Sequence, residues 1–243
     1  LRVAAGVADE HLLNDLEATS YGTQLLAPQD MVVLNEAATD PEGNVAVIAA
    51  GTGLGEGGLC WTGSRYTAIA SEGGHTSFAP SDELEAQLWA WLRPRYGHLS
   101  WERIVSGPGL VSIYEFLRDR QADAEPQWLA AELAAAHDRA GVISRAGLED
   151  RCALADRALG LFALLYGAEA GNLALKLMAT GGVYVGGGIA PKIVARLRDG
   201  RFMEGFLNKG RLAEALRAIP VRVVLNDKTG LMGAAYRGAQ LLG

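Results

Sequence analysis

Apolar residues recur along the chain with two different spacings, which predict two kinds of element. Short apolar runs bounded by turn residues predict strands at 31–34, 45–50, 58–62, 65–70, 183–185 and 221–225, with one more ending near residue 13. Apolar residues at helical spacing predict helices at 16–26, 82–93, 109–120, 127–137, 148–178, 191–197 and 231–242. A mixed α/β protein is therefore expected.

The order of elements from residue 45 onward narrows the fold class. Three adjacent antiparallel strands come first, and helices then alternate with strands, which is the order of an RNase H-like domain. Residues 71–147 form a helical insertion after the third strand, and Ser81 is expected to cap its first helix. Tyr166, in the long helix, is interpreted as a core or interface residue and not as a platform for base stacking.

Composition limits the possible functions. The 243 residues are 49% hydrophobic, enough for a substantial core, and 22 basic against 28 acidic residues give a net charge of −6. Nucleic-acid binding needs a basic surface, so a small-molecule substrate is favoured. Cys60 and Cys152 stand far apart without neighbouring ligands, which predicts no zinc site and a reducing, cytoplasmic location. No apolar run reaches the ~20 residues of a bilayer span, so no membrane association is expected.

The polar pair Asn14 and Asp15 stands between an apolar run and a helix. A carboxylate at such a strand tip can reach a ligand. The alternative is a helix cap, because Asn and Asp side chains accept hydrogen bonds from the free N–H groups of a first helical turn.

Two glycine-rich turns follow predicted strands. Gly51, Thr52, Gly53 and Gly55 leave backbone N–H groups and a hydroxyl free to donate to phosphate oxygens. An ordinary hairpin turn would have the same composition, since the spacing matches neither the P-loop nor the dinucleotide fingerprint. The second turn, 186–188, allows close approach by a phosphate or a flat ring, or tight packing of a strand on a helix.

A third motif, Glu72-Gly73-Gly74-His75, brings a carboxylate and an imidazole to the end of a strand. Sugar hydroxyls both donate and accept hydrogen bonds, so such a pair suits them. Taken separately, Glu72 could equally be an ordinary surface residue and His75 an ordinary core residue. Glu102 on its own would be a surface helix residue.

In their order, these segments resemble the bacterial glucokinases of the hexokinase and actin-like superfamily, in the branch without a zinc motif. The resemblance runs through N-D-L, A-A-G-T-G-L-G, S-E-G-G-H-T-S-F-A-P, W-E-R-I-V-S-G-P-G-L, G-N-L-A-L-K, V-G-G-G-I-A-P and D-K-T-G-L-M-G-A-A. It implies two RNase H-like domains facing each other across a cleft. Residues 28–215 would form the large domain, 1–27 part of the small domain, and 216–243 a strand and a helix that packs back on the small domain.

The resemblance also implies a reaction, the ATP-dependent phosphorylation of glucose to glucose 6-phosphate. Asp15 would take the proton of the attacking hydroxyl. The implied sugar-binding residues are Asn14, Asp15, Glu72, His75 and Glu102, the last on the resemblance alone. The implied nucleotide-binding residues are Gly51, Thr52, Gly53, Gly55, Gly186, Gly187 and Gly188. Mg²⁺ would bridge the phosphates with no protein ligand assigned, and a homodimer is expected.

Such enzymes begin with a strand, a D-x-G-G-T-N type turn and a second strand, and no such turn precedes Leu1. That turn normally closes on the ATP tail and helps to place Mg²⁺. These residues alone are therefore expected to turn over more slowly than the ~1–10³ s⁻¹ typical of enzymes, with apolar surface of the small domain uncovered.

Three alternatives stay open at this stage. A non-catalytic module that binds a sugar or a nucleotide would use the same motifs, although binding alone needs no base at Asp15. A hexose kinase of other sugar preference would differ only in fine geometry. An actin-like assembly ATPase would explain the phosphate turn but not the clustered Glu72, His75 and Glu102.

Overall fold

The computed structural model describes residues 12–120 and 123–242, which contain one six-stranded mixed sheet. Its strands are β1 (Met31–Asn35), β2 (Val45–Ala50), β3 (Leu54–Trp61), β4 (Tyr66–Ile69), β5 (Gly182–Gly186) and β6 (Val221–Val224). They lie in the order β1-β6-β5-β2-β3-β4. β2, β5 and β6 are parallel, whereas the β1–β6, β2–β3 and β3–β4 pairs are antiparallel. This confirms the predicted RNase H-like fold, with β1 added beside β6.

The helices in the described part of the chain connect these strands and cover both faces of the sheet. They are α1 (Asp15–Gly22), α2 (Glu83–Tyr96), α3 (Gly107–Asp119), α4 (Gln127–Ala135), α5 (Arg139–Leu148), α6 (Ala153–Leu177), α7 (Val194–Leu197), α8 (Arg201–Leu207), α9 (Ala213–Arg217) and α10 (Thr229–Leu242). Three short 3₁₀ helices matter for the site, namely Gly73–His75, Trp101–Arg103 and Ala190–Ile193.

β2 is apolar at every position because the sheet is covered on both sides. Ala46, Ile48 and Ala50 belong to the larger core, which α6 shares. Val45 and Val47 belong to the smaller core on the opposite face, where α1 and α10 lie. The central strand is thereby fixed between two layers of helices, and the turn that follows it is held in place.

α6 is the one helix within the described ranges that is long and apolar enough to cross a membrane. The sequence interpretation had found no such run. Of the most apolar stretch of α6, 67% is buried inside the protein, as is expected of a core helix.

Some predicted elements are wrong in detail. The predicted helix 148–178 corresponds to α6 but begins later, at Ala153, because Asp150 adopts a left-handed backbone conformation that separates α6 from the end of α5. The cap of α2 is Asp82, which accepts from the N–H of Glu85, and not Ser81. α5, α8 and α9 were not predicted.

The predicted first strand lies mostly outside the described residues, and its last residues, Leu12 and Leu13, are not in a strand. The division into 1–27, 28–215 and 216–243 stays a prediction. Of the two elements in 216–243, β6 pairs with both β1 and β5 in the central sheet, and α10 packs against α1.

Candidate active site

Three parallel strands end at the same edge of the sheet, and each is followed by a turn that lines a common cavity. β2 leads into Gly51, β5 into Gly187 and β6 into Leu225. In open α/β sheets ligands bind at this carboxyl edge, because the turns there leave a crevice. The cavity has a volume of about 790 Å³.

Every residue that the sequence predicted for the site lines this cavity. They are Asn14, Asp15, Gly51, Thr52, Gly53, Gly55, Glu72, His75, Glu102, Gly186, Gly187 and Gly188. The fold thus brings together segments that are far apart in the chain. Their individual roles stay predictions.

Asn14 and Asp15 are both part of the start of α1 and part of the cavity wall. Asn14 is the helix cap: its Oδ1 accepts from the N–H of Leu16 at 2.8 Å, and Glu17 Oε2 accepts from the Asn14 N–H at 3.0 Å. This capping box fixes the first turn of α1. Asp15 Oδ1 accepts from the same Leu16 N–H at 2.8 Å. The cap hypothesis is therefore confirmed for Asn14, and it leaves the Asp15 carboxylate held at the cavity rim.

Glu72 immediately precedes the 3₁₀ helix Gly73–His75, and His75 is its last residue, so the two side chains come close together. His75 Nε2 is 3.9 Å from Glu72 Oε2, and the two side chains are 60% and 80% exposed. Such an exposed pair interacts weakly. Both groups are therefore available to hydrogen-bond a ligand in the cavity.

Glu102 reaches the cavity from a second 3₁₀ turn that is joined to the first. The Trp101 N–H donates to the Thr76 carbonyl at 3.0 Å, and the Phe78 and Trp101 rings pack edge to face at 4.9 Å. Glu102 Oε2 accepts from the N–H of Leu54 at 3.2 Å. These contacts fix Glu102 between the Glu72–His75 turn and the first glycine turn.

The first glycine turn is a three-residue hairpin loop, Gly51 to Gly53, between β2 and β3. The Gly51 N–H donates within the turn to the Gly53 carbonyl, and the Gly51 carbonyl accepts from the N–H of Gly107 at 2.8 Å. Gly107 is the first residue of α3, which Ser106 caps. The positive end of the α3 dipole therefore lies beside the turn, where it favours a bound anion.

The predicted glycines fall into two groups by what surrounds them. A side chain at Gly51, Gly186 or Gly188 would meet no protein atom within 4 Å, so these positions are open toward the cavity. A side chain at the other three would collide with the protein: Gly53 with Glu102, Gly55 with Leu16, and Gly187 with Ala50. Gly187 also has φ +82°, which favours glycine.

Tyr166 of α6 hydrogen-bonds to the ends of both strands that lead into the glycine turns. Its hydroxyl accepts from the Ala50 N–H at 3.1 Å and lies 3.1 Å from the Gly186 carbonyl and 3.3 Å from that of Ile48, to which it can donate. The residue is fully buried. Tyr166, which the sequence predicts to be a core or interface residue, is a core residue that also fixes the spacing between the ends of β2 and β5.

A second cavity of about 1060 Å³ continues from the first and shares Gly51, Thr52, Gly188 and Lys192 with it. Its walls are formed by residues of α2, α3 and α5, among them Tyr96, Gly107 and Ala140. The two cavities together form an elongated cleft with the glycine turns at its middle.

Sequence reasoning missed several residues that line the first cavity. Lys192, which also lines the second, brings a positive charge, and Asn226 and Asp227 follow β6. Each stands just after a glycine turn or a buried strand, and that placement was the available signal. Within 12–120 and 123–242, no three His, Cys, Asp or Glu side chains are grouped to hold a metal ion.

Comparison with known proteins agrees with the sequence resemblance. The family described as Glucokinase matches residues 1–241. A glucokinase of Synechocystis is 46% identical over 247 residues, covering 96% of this chain and 70% of the relative. A glucokinase of a Nostoc species is 43% identical, covering 95% of this chain and 71% of the relative. The crystal structure of a glucokinase from an Antarctic psychrotroph has a TM-score of 0.83 at 32% identity, over 96% of this chain and 70% of that one.

Proposed function

This chain belongs to the glucokinase family, and from that premise we propose that it transfers the γ-phosphoryl group of ATP to the 6-hydroxyl of glucose. The observation that carries the proposal is the convergence of the carboxylates at 15, 72 and 102 and the open glycine turns on one cavity. A sugar hydroxyl and a phosphate can meet there. Phosphoryl transfer requires mainly that the two groups are aligned and their charge is stabilised.

The sugar would bind at the end of the cavity formed by α1 and the two 3₁₀ turns. Glu72 and Glu102 supply acceptors, and the Asn14 amide and the His75 imidazole can donate. A ring hydroxyl that donates to one group and accepts from another is matched by such a mixed set. Because the two turns are joined by backbone hydrogen bonds, these groups are held at fixed spacing before the sugar arrives.

Asp15 would act as the general base. A carboxylate accepts the proton as the hydroxyl oxygen attacks phosphorus, which makes that oxygen a better nucleophile. Its backbone is fixed by the capping box of α1, and one carboxylate oxygen is tied to the Leu16 N–H. The second oxygen can then receive the proton.

ATP would lie along the elongated cleft, with its phosphates at the glycine turns and its nucleoside in the second cavity. Gly51, Gly186 and Gly188 leave room for close approach, while the α3 N-terminus and Lys192 favour negative charge. Mg²⁺ would arrive as part of the nucleotide complex, since it is bound mostly by phosphates and water in such sites. A homodimer and a cytoplasmic location stay predictions.

The test is a coupled assay for glucose 6-phosphate with purified protein, ATP and glucose, with the product identified by phosphorus NMR. We expect phosphate on the 6-oxygen only, and no turnover of 6-deoxyglucose, which should instead inhibit competitively against glucose. Binding of glucose without any product would support the non-catalytic module. Faster phosphorylation of mannose or fructose than of glucose would assign a different hexose as substrate.

A further inference from the structure

A buried carboxylate behind the sugar-facing turn has no part in the reaction described so far. Glu56 lies in β3, paired with Ile48 of β2, and is 1% exposed. Among the described residues, no N–H or hydroxyl group donates a hydrogen bond to either of its carboxylate oxygens. Burying an ionised carboxylate without a donor is strongly unfavourable, so Glu56 needs a proton or a partner.

The neighbour that meets this need is a second buried carboxylate, Glu169 of α6, which is fully buried. Glu169 accepts from Asn172 Nδ2 at 2.7 Å and from Lys176 Nζ at 3.3 Å. With these two donors Glu169 can remain charged. Glu56, which has none, is the member of the pair that holds a proton and donates it to Glu169.

The charged surroundings agree with this assignment. Burial first and the charge of Glu169 second raise the pKa of Glu56, Lys176 opposes them, and the resulting pKa is about 8. Burial also raises the pKa of Glu169, and Asn172 and Lys176 counteract that shift. The titratable groups that act on the pair are Tyr166 and Lys176 of α6, with Lys209 after α8 facing both Glu169 and Glu85 of α2.

The same Glu56 carboxyl group rests against the sugar-facing turn. A side chain at Gly73 would collide with Glu56 Oε2, and one at Gly74 would collide with the backbone of Leu54 in β3. The turn is therefore packed directly on β3 and on the Glu56 carboxyl. Because Gly73 follows Glu72 and precedes His75, the position of both side chains depends on this packing.

We propose that Glu56 is a positioning residue for glucose, and that the proton it shares with Glu169 holds the Glu72–His75 turn in its binding geometry. This inference rests on the function proposed above. Loss of the proton places two negative charges side by side in the core. The Glu56 carboxylate then moves away from Glu169, and the turn that rests on it loses its support.

The first experiment compares the wild-type protein with Glu56→Gln and Glu56→Ala between pH 6.5 and 9.5. In the wild type, the KM for glucose should rise about fivefold above pH 8, by loss of one buried hydrogen bond, while the KM for ATP stays level. Glu56→Gln should keep a low glucose KM at every pH, because an amide donates to Glu169 without titrating. Glu56→Ala should raise the glucose KM at every pH.

A second experiment tests the contact with the turn. Gly73→Ala should raise the KM for glucose, because the new methyl group displaces either the turn or the Glu56 carboxyl. Combining it with Glu56→Ala should give a smaller increase than the product of the two single effects, since the colliding atoms are gone. Strictly multiplicative effects would mean that the turn and Glu56 are independent, which overturns the proposal.

Thermal unfolding provides a readout that does not depend on activity. The pKa of Glu56 is higher in the folded protein than its unfolded value, so its contribution to stability is complete below that unfolded value and is lost as pH rises through about 8. The wild type should therefore lose stability relative to Glu56→Gln between pH 6 and 9. A constant difference would contradict the shared proton.

The outcomes separate the two proposals. If the wild type makes no glucose 6-phosphate, the proposed function fails and this inference fails with it. If the wild type is active but Glu56→Gln shows the same rise in glucose KM with pH, another group titrates and only the inference fails. If Glu56→Ala changes the glucose and ATP KM values equally, or lowers kcat alone, Glu56 is merely structural.

Discussion

The two ends of the cleft present different groups to a ligand. At the proposed sugar end these groups are the side chains of Glu72, His75 and Glu102, on or beside short 3₁₀ turns that hydrogen-bond to each other. At the proposed phosphate end they are mainly backbone, because glycines follow the buried strands β2 and β5. Side chains suit a ligand with many distinct hydroxyls, whereas backbone N–H groups and a helix dipole suit a uniformly charged phosphate chain.

From this difference we expect substitutions to have different effects at the two ends. A change of one side chain at the sugar end removes a specific hydrogen bond and should affect one substrate. At the phosphate end the backbone contacts cannot be removed singly, so only added bulk or a removed charge should affect binding. The largest effect of all should come from Asp15, which would stand where the two ends meet.

Asp15→Asn should lower kcat by about 10²-fold or more, because the amide keeps the shape of the carboxylate but cannot accept the proton. The KM for glucose should change little. The control is Asp227→Asn, which alters a carboxylate of the same cavity near β6. If Asp227→Asn abolishes turnover and Asp15→Asn does not, the base has been assigned to the wrong end of the cleft.

Glu72→Gln should raise the KM for glucose by about tenfold, because an acceptor that meets two hydroxyls is replaced by one oxygen and an NH₂ group. ATP affinity should be unchanged. Isothermal titration with glucose measures the effect directly, and Glu42→Gln, in the turn before β2, is the matched control. Equal glucose affinity in both variants would remove Glu72 from the sugar site.

Gly188→Ala should raise the KM for ATP by about fivefold. No protein atom lies near the added methyl group, which would instead occupy the space proposed for the ATP phosphates. Its unfolding temperature should match that of the wild type. Gly238→Ala, in α10 and also open to space, is the control and should leave the KM for ATP unchanged. A raised KM for glucose instead would place the turn at the sugar end.

Lys192→Ala should raise the KM for ATP by about threefold, the modest effect of an exposed charge, and the increase should shrink at high salt. The control is Arg65→Ala, at the opposite end of the sheet in the β3–β4 hairpin. An effect that is independent of salt would mean that Lys192 acts by packing and not by its charge.

The fold was largely predictable from the sequence because its central strands are distinctive. V-A-V-I-A-A in β2 is apolar at every position, as a strand covered on both faces must be. The start of α6 at Ala153 and not at Leu148 was not predictable, since it depends on the left-handed backbone of Asp150 between α5 and α6. Helix boundaries of this kind are set by tertiary packing more than by local sequence.

The site was predictable where chemistry and fold both mark a residue. The glycines at 51 and 188 follow buried strands, and the structure places both at open positions on the cavity wall. Glu102 was identified only through the family resemblance, because its place beside Leu54 is created by a distant pairing of two loops. Glu56 was not singled out at all, since no local pattern distinguishes a carboxylate that will be buried from one that will be exposed.

Unlike the carboxyl group of Glu56, the buried hydroxyl of Tyr166 should keep its proton under alkaline conditions. Burial raises its pKa far above the range in which proteins work, so the link between the ends of β2 and β5 keeps its proton. The phosphate end of the cleft is therefore held by a bond that base does not break, whereas the sugar end rests on a carboxyl group that does titrate. In mildly alkaline solution the protein should retain its nucleotide while its hold on the hexose weakens, so that the acceptor substrate is released first.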